Sequence, residues 1–428
     1  MKTCFSFLTT LFTFFSLFAQ PSWQQVLPAL AGRYDDVFFL NENLGWAAGS
    51  GGFVYKTIDG GQNWELQLQL HLQIQNPYIR NIEFLNENIG FIGTLNGKIY
   101  KTTNGGIDWN IMEDIIPPDP SNPLEDNDVI CGLSAIGDYT IYGCGTYYGP
   151  AYVIKSSDSG DTWQYFDMSK YAEKLVEVLF VDENIGFASG GSSNGGIILK
   201  TIDGGYTWTE IYHTGINGEW VWKLQRLFSN PDVMFGSVES IEPLYGKLLK
   251  SIDGGENWVS KEVPDTDIQA VGFITENHGW MGGHHTGFLE TFDAGTTWND
   301  TGFGGNLNRI QVFNENLVYC SGQGIYKFSE SLSTPNFNGN AERDKLEVKI
   351  SPNPIENQLE FTVNFKSADH IILRLFDVNG KLLQEFITER IPSAISKKYS
   401  FPFPYPAGTY FLNLHDDSGG QSEKFIKK

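Results

Sequence analysis

Thr57-Ile58-Asp59-Gly60-Gly61-Gln62-Asn63-Trp64 returns five more times along the chain. The copies are Thr102-Thr-Asn104-Gly-Gly106-Ile-Asp-Trp109, Ser156-Ser-Asp158-Ser-Gly160-Asp-Thr-Trp163, Thr201-Ile-Asp203-Gly-Gly205-Tyr-Thr-Trp208, Ser251-Ile-Asp253-Gly-Gly255-Glu-Asn-Trp258 and Thr291-Phe-Asp293-Ala-Gly295-Thr-Thr-Trp298. They are spaced by 45, 54, 45, 50 and 40 residues. A period of this size marks an architecture in which each unit buries its faces against its neighbours. Each octet reads as a hairpin turn. The Asp or Asn side chain accepts backbone N–H groups two residues on. Gly tolerates φ > 0 without steric cost, and the Ser/Thr hydroxyl satisfies another turn group. The Trp opens the next strand and wedges between sheets, covering roughly 150–250 Å². The residues at 59, 104, 158, 203, 253 and 293 are therefore read as structural, with no catalytic role.

A second signature precedes each octet. Val37-Phe-Phe-Leu-Asn-Glu-Asn43-Leu-Gly45-Trp-Ala-Ala-Gly49 reads strand, polar turn, strand. Stretches 82–93, 178–190, 271–282 and 310–322 repeat it well, and 131–143 and 226–236 loosely. That makes seven units but six octets, because the last unit ends in Gly324-Ile-Tyr-Lys-Phe-Ser329 without a closing Trp strand. Trp23-Gln-Gln-Val26 looks like the missing strand, so the N-terminus is expected to complete the last unit and leave no unpaired edge. Four strands per unit and seven units predict an all-β fold, a seven-bladed β-propeller over residues 20–329.

These octets are Asp-boxes, also called bacterial neuraminidase repeats. Together with the Asn-Glu-Asn turns, residues 23–329 resemble the photosystem II assembly/stability factor family of seven-bladed propellers. The resemblance implies the fold. It does not assign a role to members outside photosynthetic organisms.

Beyond a Ser-, Asn-, Pro- and Gly-rich linker at 330–344 the chemistry changes. Residues 20–336 carry 39 acidic and 16 basic residues, whereas 337–428 carry 12 of each. Ile350-Ser-Pro-Asn-Pro354, the Leu375-Phe-Asp377-Val-Asn379-Gly380-Lys hairpin, Tyr405-Pro-Ala-Gly408-Thr-Tyr and the basic end Lys424-Phe-Ile-Lys-Lys428 predict a small antiparallel β-sandwich over 345–428. The same motifs resemble the type A C-terminal sorting domain of the type IX secretion system. That resemblance implies a Gram-negative bacterium of the Bacteroidetes type and recognition by the type IX secretion machinery.

The whole chain of 428 residues carries a formal charge of −22. Such acidity argues against nucleic acid and anionic lipid as partners. Residues 1–19 read as a signal peptide, with Lys2 ahead of an apolar run and Ala19 at the cleavage point. No transmembrane segment is expected in the mature chain, which should pass through the periplasm and be secreted or held at the outer-membrane surface. Of the remaining cysteines, Cys131 and Cys144 flank a predicted two-residue turn at Gly137-Asp138 and so oppose each other. A disulfide and two buried thiols are both compatible with that spacing. Cys320 has no evident partner.

Signatures of known chemistry are missing: there is no phosphate loop, no G-x-S-x-G and no H-E-x-x-H. A sialidase needs several arginines around its substrate carboxylate, and residues 20–336 hold Arg33, Arg80, Arg226 and Arg309 alone. Xyloglucan-cleaving Asp-box enzymes pair two propellers, and one is present here. His284-His285, with His278 nearby, alternate faces along a strand and suit a loop better than a metal. Asp119, Glu125, Asp126 and Asp128 match no calcium-loop spacing. No metal and no cofactor is expected.

All the length variation between units falls in the strand 2–3 turns and the blade-to-blade links, which share one end of the ring. Variable loops on a rigid scaffold are where binding usually sits. Tyr78, Tyr147, Tyr148, Trp220, Trp222, Tyr245, His284 and His285 lie there, and Arg80 and Arg309 start inner strands near the channel. These ten are the candidate ligand-binding residues. They suit an extracellular protein or glycan, which favours a non-enzymatic binding module. The alternative is a polysaccharide-active hydrolase or lyase using carboxylates on the same end.

Overall fold

The computed structural model describes residues 21–28, 32–70, 78–112, 115, 129–145, 150–330, 347–365, 369–377, 382–391, 395–416 and 419–428. The signal-peptide reading, the acidic residues of the 116–128 insertion, Tyr147, Tyr148, most of the linker and the Asn379-Gly380 turn lie outside them. The chain divides into two compact units, Met1–Ser333 and Thr334–Lys428.

The first unit is a ring of seven four-stranded antiparallel sheets. Blade one is Tyr34–Phe39, Gly45–Gly49, Phe53–Thr57 and Glu65–Gln69. The inner strands of blades two to six are Ile79–Phe84, Gly132–Ile136, Lys174–Phe180, Trp220–Arg226 and Ile268–Phe273. Blade seven is Ile310–Asn314, Leu317–Ser321 and Gly324–Glu330, completed by the N-terminal strand Pro21–Pro28. That strand pairs antiparallel with Gly324–Glu330, Trp23 opposite Phe328. The Trp23 ring stacks on Phe288 at 4.0 Å and meets Trp280 edge-on at 5.3 Å. The ring therefore closes as its sequence predicts, with an aromatic wedge from blade seven reaching blade six.

The Asp-boxes form as hairpin turns, with a longer reach than the sequence reading gave them. Asp59 Oδ1 accepts the Asn63 N–H at 2.9 Å, four residues on, and Thr57 Oγ1 accepts the Gly61 N–H at 2.9 Å. Gly60 and Gly61 take φ of 68° and 87°. Hydrogen bonds from the residue four places on hold Asp158, Asp203, Asp253 and Asp293 down to about 2. In blades one, two and four the closing Trp packs edge-on against an inner-strand aromatic, Trp64 on Phe39, Trp109 on Phe84 and Trp208 on Phe180.

A second device joins neighbouring blades, and the sequence reading missed it. The residue before each box is a Lys in five of six copies. Its ammonium crosses the seam to the next blade's turn: Lys56 Nζ donates to Gly105 O at 2.8 Å and Lys155 Nζ to Gly204 O at 2.8 Å. Lys327 repeats this across the closing seam, donating to Gly60 O at 2.9 Å. In blade six Glu290 takes the place of the Lys and accepts Trp280 Nε1 at 3.0 Å. Inner strands are stitched as well. The Gln311 amide donates to Phe39 O at 2.9 Å and accepts the Phe39 N–H at 2.7 Å.

The cysteine register differs from the prediction. The turn takes three residues, so Ile136 pairs with Thr140 and Gly132, not Cys131, lies opposite Cys144. Cys131, Cys144 and Cys320 are buried and form no disulfide. Burial pushes the Cys144 thiol well up.

In the second unit, Glu347–Ile350, Gln358–Phe365 and Ile395–Pro402 form one sheet. Leu382–Ile391, Asp369–Asp377, Gly408–Asp416 and Gly419–Lys427 form the other. Leu359, Phe361, Val363, Leu373, Leu375 and Phe425 fill the core between them.

Candidate functional site

Inner strands start at the loop end of the ring, so their first residues converge on the channel there. Arg33 and Arg80, from blades one and two, both clasp Asp35 Oδ1, with Arg33 Nη2 at 2.7 Å and Arg80 Nη1 at 2.5 Å. Asn308, from the stretch leading into blade seven, donates to the Asp35 carbonyl from the far side of the closing seam. Two guanidinium groups thus share one buried carboxylate, a pairing that offsets the desolvation of each.

Trp222 sits against this cluster. The Arg80 guanidinium lies 5.0 Å from its ring centre, and its body packs among Val129, Cys131 and Val176 of blades three and four. Trp220 stacks on Trp222 at 5.5 Å. The Lys174 ammonium stands 4.2 Å from the Trp220 ring. Trp222 is 4% exposed, whereas Trp220 keeps part of its face in solvent.

The opposite wall comes from blade six. Gln269 Nε2 donates to Glu239 Oε2 at 2.9 Å and lies 2.9 Å from His284 Nε2. Arg33 Nη1 donates to Asn306 Oδ1 at 2.6 Å and lies 3.4 Å from His284 Nδ1. Burial, with Arg33 adding to it, pulls His284 below its ordinary value. Burial pushes the Glu239 carboxyl up, against the Gln269 hydrogen bond and with Asp267 adding. The Tyr78 hydroxyl is raised by burial and by Asp35, to which it is hydrogen-bonded.

Of the ten candidate residues, Tyr78, Arg80, Trp220, Trp222 and His284 meet in this one network. His285 stands beside it, exposed, with Nδ1 at 3.2 Å from Asp267 Oδ2. Tyr245 is 54% exposed on its own turn. Arg309 belongs deeper in the channel, 3.2 Å from Asp36 and 3.4 Å from Glu177. Sequence reasoning left out Arg33, Asp35, Lys174, Glu239, Gln269 and Asn306. A usable signal existed for one of them: Arg33 precedes the first inner strand as Arg80 begins the second.

Chemically, the arrangement offers a stacking face, cations anchored by carboxylates, and amide and imidazole groups for hydrogen bonding. Among the described residues no group of His, Cys, Asp and Glu side chains is arranged to hold a metal ion, and no helix is long and apolar enough to cross a membrane.

Fold and site define an Asp-box β-propeller with a sorting tail. Residues 16–126 match the family described as photosynthesis system II assembly factor YCF48, and residues 349–428 match the secretion system C-terminal sorting domain. The chain is thus a seven-bladed propeller resembling the photosystem II assembly factors, carrying a type IX secretion sorting domain. A comparison with curated protein sequences returned no match. Among solved structures, YCF48 bound to a D1 peptide is similar at a TM-score of 0.53 and 23% identity, over 72% of this chain and 96% of that one. YCF48 from Cyanidioschyzon merolae gives 0.54 and 19%, over 72% and 98%. PorZ, a surface component of the type IX secretion system of Porphyromonas gingivalis, gives 0.52 and 13%, over 94% of this chain and 61% of its own. At these identities the likeness is one of fold. The sorting tail indicates export to the cell surface or outer membrane.

Proposed function

We propose that the exported chain is a non-enzymatic binding module that grips an extracellular protein or glycan at the loop end of its ring. The observation that carries this reading is the Trp220–Trp222 stack, with Lys174 over its open face and Arg80 behind it. Amphipathic rings beside fixed cations are the usual anchors of protein and sugar recognition. The likeness to a propeller bound to a peptide makes a peptide the first ligand to try. The test is binding of the purified chain to glycans and to outer-membrane proteins of the producing cell. Trp220→Ala should weaken it at least tenfold, and an unchanged affinity would remove the site from this role.

A second reading rests on Glu239. A half-buried carboxyl held up with Asp267 adding to the rise has the character of a general acid. Release of reducing ends from a polysaccharide, abolished in Glu239→Gln, would favour that reading over the first.

The delivery route belongs to the same proposal: residues 1–19 direct passage to the periplasm, and 345–428 direct the second step across a 330–344 linker. A chain ending near Ser333 should fold and stay in the periplasm. Its normal appearance in the medium would refute this.

A further inference from the structure

The channel holds a cavity of about 330 Å³ in the half toward the Asn-Glu-Asn turns, away from the loop end. The inner strands and their ends supply its apolar wall, with Phe38, Leu179, Val181, Leu224, Ile310 and Val312. Its charged lining is Glu83, Glu177, Lys223, Arg226 and Arg309.

The pairing of these charges leaves one over. Glu177 takes the Lys223 ammonium and, at 3.4 Å, Arg309 Nη2. Asp36, at the edge of the cavity, takes Arg309 Nε at 3.2 Å and the Val37 and Ile82 N–H groups at 2.9 and 3.0 Å. Arg226 donates to Pro231 O at 3.0 Å and faces Asp182. Glu83 receives the Ala135 N–H on Oε1 at 3.3 Å. Among the described residues no cation lies within ion-pair distance of it, and the guanidinium of Arg309 is already shared between Asp36 and Glu177. Burial accordingly pushes the Glu83 carboxyl up to about 8, with Arg309 opposing and Asp36 and Glu177 adding.

The approach to the cavity is acidic. Glu42, Glu87, Glu183, Glu276 and Glu315 stand exposed on the turns around this end of the ring. Such a rim concentrates cations at the opening. The volume equals about ten waters at roughly 30 Å³ each, ample for a short alkyl chain with a charged head. With Oε1 engaged, Glu83 has one oxygen to offer. That suits a point charge better than the paired N–H fork of a guanidinium.

We propose that this cavity binds an aliphatic ammonium, either the side chain of a partner's lysine or a free diamine, with the charge on Glu83 and the methylenes on the apolar wall. The inference is independent of the loop-end site. Pairing the ammonium with the Glu83 carboxylate offsets the cost of desolvating each charge there.

The experiment is titration calorimetry of the intact protein with 1,5-diaminopentane and with N-acetyl-Gly-Lys-Gly-amide, the lysine-acetylated peptide serving as the uncharged control. Saturable binding of either charged probe is expected, at least tenfold weaker in Glu83→Gln and unaltered in Glu262→Gln on an outer strand. Binding near pH 7 should release a proton from Glu83, read as a dependence of the heat on buffer ionisation enthalpy. Binding of the diamine alone points to a free amine, and binding of the peptide to a partner's lysine. No saturable heat with either probe up to millimolar concentration, or equal affinity in Glu83→Gln, overturns the proposal. Tighter binding of the matching arginine peptide would overturn the choice of ammonium.

Discussion

The two ends of the ring are built by different rules. At the Asp-box end each turn is closed by bonds two to four residues apart in sequence, such as Thr57 to Asp59 and Asp59 to Asn63. The same short-range pattern is stamped out six times. At the loop end the contacts join residues hundreds of positions apart, such as Asn308 with Asp35 and Arg33 with Asn306, and each contact occurs once. Uniform turns give a scaffold that seven blades can share. Unique long-range contacts give a surface that occurs once in the ring.

That difference also decided what could be read in the sequence. The turns, the blade count and the ring closure through Trp23 were legible because a local pattern repeats. The loop-end cluster was legible in part, since position along the unit put Trp220, Trp222, Arg80 and His284 at the loop end, where they lie together. Their meeting across the axis was not, because Asp35, Gln269 and Glu239 look like ordinary strand residues until the ring closes. The hairpin at Gly137 failed for a smaller reason. Gly-Asp suits a two-residue turn, but Tyr139 joins the loop and shifts every pair by one.

The comparison can be broken most forcefully at the seam. Removing Pro21–Pro28 should abolish cooperative unfolding of the propeller, because it exposes the Gly324–Glu330 edge and strips Phe288 and Trp280 of their cover. Trp23→Ala alone should cost about 3–5 kcal/mol in chemical denaturation. A shift below about 0.5 kcal/mol, the size seen at exposed positions, would make that strand dispensable. Arg80→Ala comes next. It leaves Asp35 with one guanidinium in a buried site, and a loss of about 3 kcal/mol is expected. No loss would mean that the loop-end network adds nothing to the scaffold. Lys56→Met should cost about 1 kcal/mol by removing the shorter of two hydrogen bonds to Gly105 O, with Trp46 Nε1 remaining at 3.2 Å, a smaller effect because one staple of several is lost.

A pH series sharpens the contrast with opposite signs at the two places. Four Asp-box carboxylates, Asp158, Asp203, Asp253 and Asp293, are depressed to about 2 in the folded state. Their stabilisation is full above the ordinary carboxylate range near 4 and is lost as pH falls from there toward 2. Glu83 is raised to about 8, so the folded state binds its proton more tightly than the unfolded chain does. Its contribution is full below about 4.5 and declines as pH rises from there to about 8. Denaturation midpoints should therefore peak in mildly acidic solution, and Glu83→Gln should flatten the alkaline side alone. A variant with an unchanged alkaline slope would remove Glu83 as its source.

The most direct measurement pairs two tryptophans, one from each end. Unfolding free energy and affinity for the outer-membrane fraction of the producing cell are determined for Trp208→Ala and Trp220→Ala. Trp208 closes an Asp-box and is 5% exposed, so its loss should cost about 3–5 kcal/mol while the surviving folded protein binds normally. Trp220→Ala should unfold within about 1 kcal/mol of the parent and lose at least tenfold in affinity. Full affinity in Trp220→Ala, or lost affinity in folded Trp208→Ala, would contradict the division of the ring into an end that holds and an end that recognises.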